Sequence, residues 1–197
     1  MEQTLLVVDR ADRLLGYESR TACHAGHGRL HRAVAVLLYD SLGRILLQRR
    51  RSTLWDGYWD ITGATHPLHI DGRDEAYEEA ARRCLEVEWR IRTDVFPVHR
   101  FIYHELFRDC AEYEYCVLLM GRYEEALRPN RQHATDMAWL ALGDVRSHIR
   151  VCAKSYTPWA RIAIHLLESH PVLELMDVRF PEVGAVVPSG CARRAHA

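Results

Sequence analysis

Residues 111–120, AEYEYCVLLM, predict a β-strand that runs into a hydrophobic core. Successive side chains of a strand point to opposite faces, so Glu112, Glu114 and Cys116 share one face. If this face is buried, the two carboxylates repel each other, and burying both is costly unless a cation or a proton lies between them. The pair therefore indicates a metal site or a coupled acid-base pair. The alternative is an edge strand that holds both carboxylates in water.

Histidines cluster upstream of this strand. His24, His27 and His31 lie within residues 22–32, whose glycines predict a loop rather than a packed element, and His66 follows a short strand. Histidine is the commonest transition-metal ligand, and a flexible loop can bring two imidazoles onto one ion. The segment therefore suggests a metal site, with solvated loop histidines as the alternative.

Hydrophobic periodicity predicts the elements around these motifs. Residues 4–9 and 14–17 form an opening hairpin, and a second hairpin turns at Gly43. The clearest helix is 74–89, with acidic residues in its first turn. The closing helices are 142–150 and 158–169, the latter capped by Thr157 with Pro158 as its first residue. Further strands are predicted at 33–39, 45–48, 95–100, 101–107 and 137–140. This order of elements predicts an α+β sandwich.

Composition excludes several classes of protein. Lys+Arg 26 against Asp+Glu 27 gives a net charge of -1, so no basic field favours nucleic acid or an anionic membrane surface. No apolar run approaches the roughly 20 residues that span a bilayer, and the start lacks a signal-peptide pattern, so we expect a cytoplasmic protein. The six cysteines lack CxxC pairs and are expected to be reduced. We expect one domain over 1–172 and a partly disordered extension over 173–197.

Two charged features call for partners. Arg49, Arg50 and Arg51 follow a strand and could clamp a phosphate, although an exposed charge run is the alternative. Glu88 lies near the C-terminal end of the predicted helix, where the helix dipole disfavours an anion. A partner for Glu88 is therefore expected, with a plain solvated helix face as the alternative.

Taken together, the histidines and glutamates resemble the metal site of type I isopentenyl-diphosphate isomerases, which have the Nudix fold. The resemblance runs from about Thr4 to His170, and it implies an α/β/α sandwich with a mixed sheet. Its most telling segments are 24–33 (HAGHGRLHRA), 65–67 (THP), 112–114 (EYE) and 157–159 (TPW).

The resemblance also implies the ions. One divalent ion, Mn²⁺ or Mg²⁺ or else Zn²⁺, is expected on His24, His31, His66, Glu112 and Glu114. A second ion, Mg²⁺ carried by a substrate diphosphate, is expected to meet Glu88.

The same resemblance implies the roles of the remaining site residues. Glu114 is expected to transfer protons with the support of Tyr103, and Trp159 is expected to face a carbocation, which an aromatic ring stabilises through its quadrupole. Three arginines are expected to bind the diphosphate: Arg20, Arg51 and Arg83.

The sequence departs from the family at the second proton-transfer position. The family pattern Cys-x-His-Pro reads Ala64-Thr65-His66-Pro67 here, and alanine cannot carry a proton. Thr65 acting through water and Cys116 on the glutamate strand are the available substitutes. We interpret Cys116 as a core residue, which leaves the ordinary two-sided proton transfer in doubt.

The Nudix box is also broken. Cys84, Val87 and Arg90 occupy positions where the pattern has glutamates and a glycine, and Glu88 alone is kept. Because the pyrophosphohydrolases of this superfamily need that carboxylate cluster for their Mg²⁺ ions, hydrolysis of nucleoside diphosphate derivatives is disfavoured. The connection 51–55 also lacks the diphosphate-binding lysine usual in the family.

Several functions follow from these observations. The resemblance predicts a metal-dependent enzyme that isomerises isopentenyl diphosphate to dimethylallyl diphosphate. The missing cysteine favours a different reaction, in which protonation starts a cyclisation or rearrangement of a longer prenyl diphosphate. A Nudix diphosphate hydrolase and a metal-binding protein without catalysis are two further candidates. The expected partner is a small prenyl diphosphate, and the oligomeric state stays open.

Overall fold

A computed structural model describes residues 2–167 of the chain. The predicted extension 173–197, the domain boundary at 172 and the end of the last predicted helix lie outside the described residues. In chain order the strands are β1 (Thr4–Val8), β2 (Leu14–Ser19), β3 (His31–Tyr39), β4 (Arg44–Arg50), β5 (Trp59–Ile61), β6 (Gly63–Thr65), β7 (His69–Ile70), β8 (Arg73–Asp74), β9 (Phe96–Phe107), β10 (Cys110–Arg122) and β11 (Ala134–Ala141). The helices are α1 (Arg20–His24), α2 (Tyr77–Trp89), α3 (Leu142–Cys152) and α4 (Pro158–Leu167), with a 3₁₀ turn over Ala153–Ser155.

The main sheet is packed between helices on both faces, because β3 is apolar at every position of its centre. Ala33 and Ala35 face one core, which α3 and α4 cover, while Val34 and Val36 face a second core, which α2 covers. A strand without polar alternation is typical of a sheet that is buried on both sides. The predicted α/β/α sandwich is therefore confirmed, and its sheet is mixed, since β3 and β10 run parallel while β9 and β10 run antiparallel.

The sheet divides where β3 and β4 separate. These strands pair only at Tyr39 and Ile45, after which β6 pairs with β3 and β5 pairs with β4. Thr62 bridges the division, since its hydroxyl accepts from Leu38 N and donates to the Leu46 carbonyl. Thr62 thereby satisfies one backbone group of each strand at the point where β3 and β4 separate.

Some predicted elements differ in the structure. Residues 22–32 do not form one continuous loop, because Ser19 caps α1 by accepting from Ala22 N at 3.1 Å, and β3 already begins at His31. The helix predicted to start at residue 74 starts at Tyr77, since Arg73–Asp74 pairs as a strand with His69–Ile70. The strands predicted at 95–100 and 101–107 form the single strand β9, which pairs along its length with β10.

Two further expectations concern cysteines and membranes. Cys23, Cys84, Cys110 and Cys116 are free, whereas Cys152 is disulfide-bonded, against the expectation that all the cysteines are reduced. Within residues 2–167, no helix has the length and apolar character needed to cross a bilayer.

Candidate functional site

The sheet register brings the histidines and glutamates together. His31 begins β3 and lies beside Glu114 of β10 in the parallel pairing. His24 ends the short helix α1, which packs against β10, and His66 follows β6, which is paired with β3. Because β10 is paired on both sides, its carboxylates are not on an edge strand, and Glu112 and Glu114 are each 6% exposed.

The side chains form one compact cluster. His24 Nε2 lies 3.1 Å from Glu112 Oε2, and His66 Nε2 lies 3.0 Å from Glu114 Oε1. The His31 Nε2 atom is 3.8 Å from the same Glu114 oxygen. The three imidazole rings have centroids 4.8 to 5.1 Å apart. The cluster thus brings histidine nitrogens and carboxylate oxygens from separate segments of the chain close together.

The histidine nitrogens fit a divalent cation. The Nδ1 atoms of His24 and His31 bond to the backbone carbonyls of Arg20 and Arg29, which turns both Nε2 atoms inward. Both Nε2 atoms are buried without a hydrogen-bond partner. One ligand atom each from His24, His31, His66 and Glu114 lie within 4.8 Å of one another. Fixing Nδ1 through a backbone carbonyl is the usual way in which proteins orient a metal-binding histidine.

Burial governs the protonation of the cluster. It lowers the pKa of His31 to about 4 and that of His66 well below its usual value, so both imidazoles are neutral near pH 7. Burial and the nearby Glu112 raise the pKa of Glu114 well above its usual value. Burial acts in the same direction on Glu112, but the interaction with the neighbouring His24 ring outweighs it and lowers the pKa of Glu112. Without a cation, the carboxylate pair therefore tends to keep one proton, as two adjacent carboxylates do.

Glu114 leads into an aromatic wall. Tyr103, its partner across β9 and β10, donates a hydrogen bond to Glu114 Oε2 at 2.5 Å. The Tyr103 ring lies 6.1 Å from that of Trp159, and Trp55 meets Trp159 edge-on at 6.1 Å. Trp159 is held at the start of α4, where Thr157 Oγ1 accepts from Ala160 N at 3.4 Å, as the predicted cap requires.

A cavity of about 220 Å³ opens beside this cluster, between the two branches of the sheet. Its metal-side wall contains His66, Glu112, Glu114, Tyr103 and Trp159. The opposite wall comes from β4, the segment after it, α2 and the residue before β11. The residues that line this opposite wall include Gln48, Arg50, Arg51, Glu88 and His133.

Glu88 has a hydrogen-bond partner, as expected for a carboxylate near the C-terminal end of a helix. Gln48 Nε2 donates to Glu88 Oε2 at 2.9 Å, and burial raises the pKa of Glu88 to about 7. Gly63 makes this approach possible, because a Cβ there would stand 2.7 Å from the Cys84 sulfur and 3.4 Å from Glu88 Oε2. Helix α2 is therefore close enough to the β5–β6 connection to deliver one carboxylate to the cavity.

The predicted diphosphate-binding arginines do not all lie together. Arg20 and Arg51 line the cavity. Arg83 bonds instead to both oxygens of Glu75 at 2.8 Å and to the His66 carbonyl at 2.8 Å. This arrangement differs from the expectation for Arg83, because its guanidinium is occupied in bracing α2 against the segment after β6.

Sequence reasoning missed Gln48 and, individually, Arg50 on the opposite wall, and it also missed Asp60, the buried partner of Arg50. Arg50 Nη1 donates to the completely buried Asp60 at 2.7 Å, and its guanidinium lies 5.1 Å from the centroid of the Trp159 ring. The arginine run was visible in the sequence, but only the alternation along β4 separates the inward Arg50 from the exposed Arg49.

The departures from the family pattern also have defined places. Ala64 and Thr65 line the cavity next to His66, so the missing thiol leaves an apolar wall at this point. Cys116 lines the cavity too and is 1% exposed, and burial raises the pKa of its thiol well above the usual value.

The altered positions of the Nudix box lie on α2 and at its end. Cys84 is buried beside Glu88, while Val87 is half exposed. Arg90 ends α2 with a φ of 57°, the left-handed conformation that favours glycine.

Comparisons with known proteins identify the family of this chain. A model of the NUDIX domain matches residues 29–160. An isopentenyl-diphosphate Delta-isomerase of Haloarcula marismortui is 31% identical over 172 residues, which cover 82% of this chain and 89% of that protein. One from Halorhodospira halophila is 32% identical, with 86% of this chain and 96% of that protein covered. Among the similar proteins is also the human isopentenyl-diphosphate delta-isomerase 2, at 27% identity over 82% of this chain and 80% of that protein.

Solved structures support the fold. The Deinococcus radiodurans protein DR0079 superposes with a TM-score of 0.66 at 18% identity, covering 83% of this chain and 98% of that one. A MutT protein of Methanosarcina mazei Go1 gives a TM-score of 0.56 at 15% identity, covering 71% of this chain and 93% of that one.

Proposed function

Because this chain belongs to the Nudix family, and within it to the isopentenyl-diphosphate isomerases, we propose that it interconverts isopentenyl and dimethylallyl diphosphate. The observation that carries the proposal is the buried cluster of His24, His31, His66 and Glu114, which Glu112 joins through His24 and which faces a small cavity with an aromatic wall. Inward imidazole nitrogens beside a carboxylate pair fit a divalent cation and not a hydrophobic ligand. We propose Mn²⁺ or Mg²⁺, or else Zn²⁺, as that cation.

A cation held by the histidines and Glu114 would supply a fixed positive charge that orients Glu114 and tunes its proton affinity. Glu114 holds the proton that moves onto the terminal alkene carbon, and the Tyr103 hydroxyl holds the carboxyl group in place. Trp159 presents an aromatic ring to the tertiary carbocation, a contact worth about 1–2 kcal/mol when desolvated. The Glu114 carboxylate, which has given up its own proton in the first step, then takes a proton from the neighbouring methylene, and this completes the isomerisation.

The diphosphate belongs at the other end of the cavity. Arg51 supplies positive charge there, and Glu88 supplies a carboxylate for a Mg²⁺ ion carried by the diphosphate. Arg20 also lines the cavity and adds positive charge from the start of α1, close to the metal cluster. Binding energy at the diphosphate end, away from the reacting carbons, keeps a small apolar alkene in register with Glu114. Arg83 does not enter this account, since it is bonded to Glu75.

Cavity size favours the five-carbon substrate over a longer one. The cavity volume of about 220 Å³ is below the range of roughly 300–1,000 Å³ typical of sites for drug-sized ligands. Trp159, Tyr103 and Cys116 line its apolar part, and Trp55 packs behind Trp159. A longer prenyl chain needs these side chains to move, so cyclisation is the second candidate.

Product analysis tests the proposal. Purified protein with Mg²⁺ and Mn²⁺ is incubated with C5, C10, C15 and C20 prenyl diphosphates and with a nucleotide panel. We expect the methyl signals of dimethylallyl diphosphate to appear by NMR from the C5 substrate alone, and Glu114→Gln to remove them. Cyclic products from the longer substrates would establish the second candidate instead, and phosphate or pyrophosphate release from nucleotides would establish a hydrolase.

A further inference from the structure

Asp60 is a buried carboxylate that the proposed mechanism does not use. It lies on β5, is completely buried and does not line the cavity. Arg50 Nη1 donates to its Oδ2 atom at 2.7 Å, while its Oδ1 atom accepts from Thr157 Oγ1 at 2.9 Å and from Ile61 N at 2.8 Å. Because replacing a buried ion pair by well-packed apolar residues is often neutral or stabilising, stability alone does not explain this carboxylate.

Asp60 ties the beginning of α4 to the sheet. Thr157 N donates to the Trp59 carbonyl at 2.9 Å, which places the residue before α4 beside β5. The Thr157 hydroxyl donates to Asp60 and accepts from Ala160 N at 3.4 Å, so one group joins the helix cap to the carboxylate. Trp159 is the second residue of α4. The position of Trp159 therefore depends on where Asp60 holds Thr157.

The ring of Trp159 is oriented by packing alone. Among the residues that the structure describes, none forms a hydrogen bond with its buried Nε1 atom. The rings of Tyr103 and Trp55 each lie 6.1 Å from it, and the Arg50 guanidinium lies over the ring, 5.1 Å from its centroid. A displacement of the helix start or of the guanidinium therefore changes the orientation of the indole.

Arg50 also affects the electrostatics of this ring. A guanidinium over an aromatic face is attracted by the same quadrupole that stabilises a carbocation. Two positive charges beside one ring repel each other, and the repulsion is stronger away from water. The Asp60 carboxylate, 2.7 Å from Arg50 Nη1, neutralises the guanidinium and leaves the quadrupole of Trp159 available to a second cation.

We propose that Asp60 is a positioning residue for the reaction at Trp159. It holds the first turn of α4 in place through Thr157, and it neutralises the Arg50 charge that lies over the ring. A carbocation in the cavity then meets an aromatic ring of fixed orientation without the repulsion of an unpaired guanidinium. This inference rests on the proposed function, and it concerns the formation of the carbocation.

Steady-state kinetics of Asp60→Asn with isopentenyl diphosphate tests the assignment. Asparagine keeps the size of the side chain and an acceptor for Thr157 but leaves the Arg50 charge unpaired. We expect kcat to fall about 10- to 30-fold, the effect of losing a desolvated cation–π contact, while KM does not rise. Asp40→Asn is the matched control, because Asp40 is also buried and paired with an arginine, Arg44, at 2.6 Å, but lies in the turn between β3 and β4. This control should leave kcat unchanged.

Thr157 supplies a second test if Asp60→Asn does not fold. Thr157→Val keeps the branched shape but removes the hydroxyl that donates to Asp60. We expect kcat to fall about 3- to 10-fold, less than in Asp60→Asn because the pair with Arg50 remains. Thr157→Ser keeps the hydroxyl and should restore the wild-type value. Unchanged kcat in a folded Asp60→Asn or Thr157→Val variant, or a rise in KM that accounts for the whole loss of kcat/KM, would overturn the assignment.

The NMR signals of the indole N–H groups distinguish this inference from the proposed function. The chain has five tryptophans, and Trp159→Phe identifies the signal of Trp159. We expect this signal to move in Asp60→Asn and in Thr157→Val and to keep its position in Asp40→Asn. An unmoved signal in the first two variants contradicts the inference, whatever the activity. A moved signal, in a protein whose wild type leaves isopentenyl diphosphate unchanged, contradicts the proposed isomerase and supports the positioning of Trp159 by Asp60.

Discussion

The two walls of the cavity differ in how many chemically active side chains they contain. On the metal side, the histidines and glutamates are all buried and converge from separate segments. On the helix side, α2 brings a single carboxylate, Glu88, while Cys84 is buried beside it and Val87 is half exposed. Glu88 is held by Gln48, so this wall is built to position one carboxylate rather than a cluster. The difference points to proton transfer beside one firmly held ion, and away from hydrolysis by several.

The largest expected effect compares one carboxylate from each wall. Glu114→Gln keeps the shape of the side chain but removes its transferable proton, so we expect turnover to fall by about 10²- to 10⁴-fold, the usual range for a general acid-base residue. Glu88→Gln should act mainly on substrate affinity and on the Mg²⁺ concentration required. Steady-state kinetics at varied Mg²⁺ measures both. Equal losses of turnover in the two variants would show that the walls do not divide the work in this way.

The second prediction removes a ligand from the metal side. His31→Ala should lose the bound ion, as measured by metal analysis, and a chelator should lower the melting temperature of the wild type but not of the variant. Metal at about 100 times its dissociation constant stabilises the native state by about 2.7 kcal/mol. His27→Ala is the matched control, because His27 belongs to the same histidine-rich segment but is exposed. Equal melting temperatures with and without chelator would contradict a tightly held ion.

His27 and His31 also show how far the sequence leads. The period of two along β10 predicted that Glu112, Glu114 and Cys116 share one face, because this is a local property of a strand. The sequence left open whether that face is buried, and in the structure all three residues are buried. Which histidines lie beside these carboxylates depends on the register of β3 against β10 and on the short helix α1. The sequence of residues 22–32 did not predict that helix. The local pattern fixed the carboxylates, whereas long-range pairing selected the imidazoles.

The opposite wall was harder to foresee for the same reason. Arg83 and Arg50 are both arginines near the site, but Arg83 is bonded to Glu75 and Arg50 lines the cavity. Their roles depend on side-chain partners 8 and 10 residues away. Gln48 carried no signal in the sequence, since a lone glutamine on a strand becomes informative only once Glu88 faces it.

The third prediction compares Arg51 with Arg83. Arg51→Ala should weaken substrate binding by about 1.5–3 kcal/mol, the size of a charge-assisted contact. Arg83→Ala should instead lower the free energy of unfolding by about 1–3 kcal/mol, because it leaves Glu75, which is 9% exposed, without its partner. Calorimetric titration and urea denaturation separate the two effects. Unchanged substrate affinity in Arg51→Ala would show that the exposed arginine does not bind the diphosphate.

The smallest expected effect concerns Ala64, the one place on the metal side where a reactive group is missing. If Glu114 is the only strong acid, the carbocation cannot readily lose a proton from the face that is turned away from Glu114, because the cavity wall there is Ala64. Thr65 can act there only through water, and burial raises the pKa of the Cys116 thiol, so this thiol stays protonated and cannot accept the proton. The proton must then return to the Glu114 side, or the cation must be quenched by water.

Ala64→Cys restores a thiol on that opposite face. We expect it to raise the isomerisation rate of the C5 substrate by on the order of tenfold, less than the full contribution of a general acid-base residue because the surroundings of the thiol are not adapted to it. Ala64→Ser is the control, since a hydroxyl fills similar space without comparable acidity. Initial rates by NMR compare the three proteins. If the parent already isomerises isopentenyl diphosphate at a rate that Ala64→Cys leaves unchanged, proton transfer is not limited to the Glu114 side, and Thr65→Val then tests whether a water at Thr65 carries the second proton.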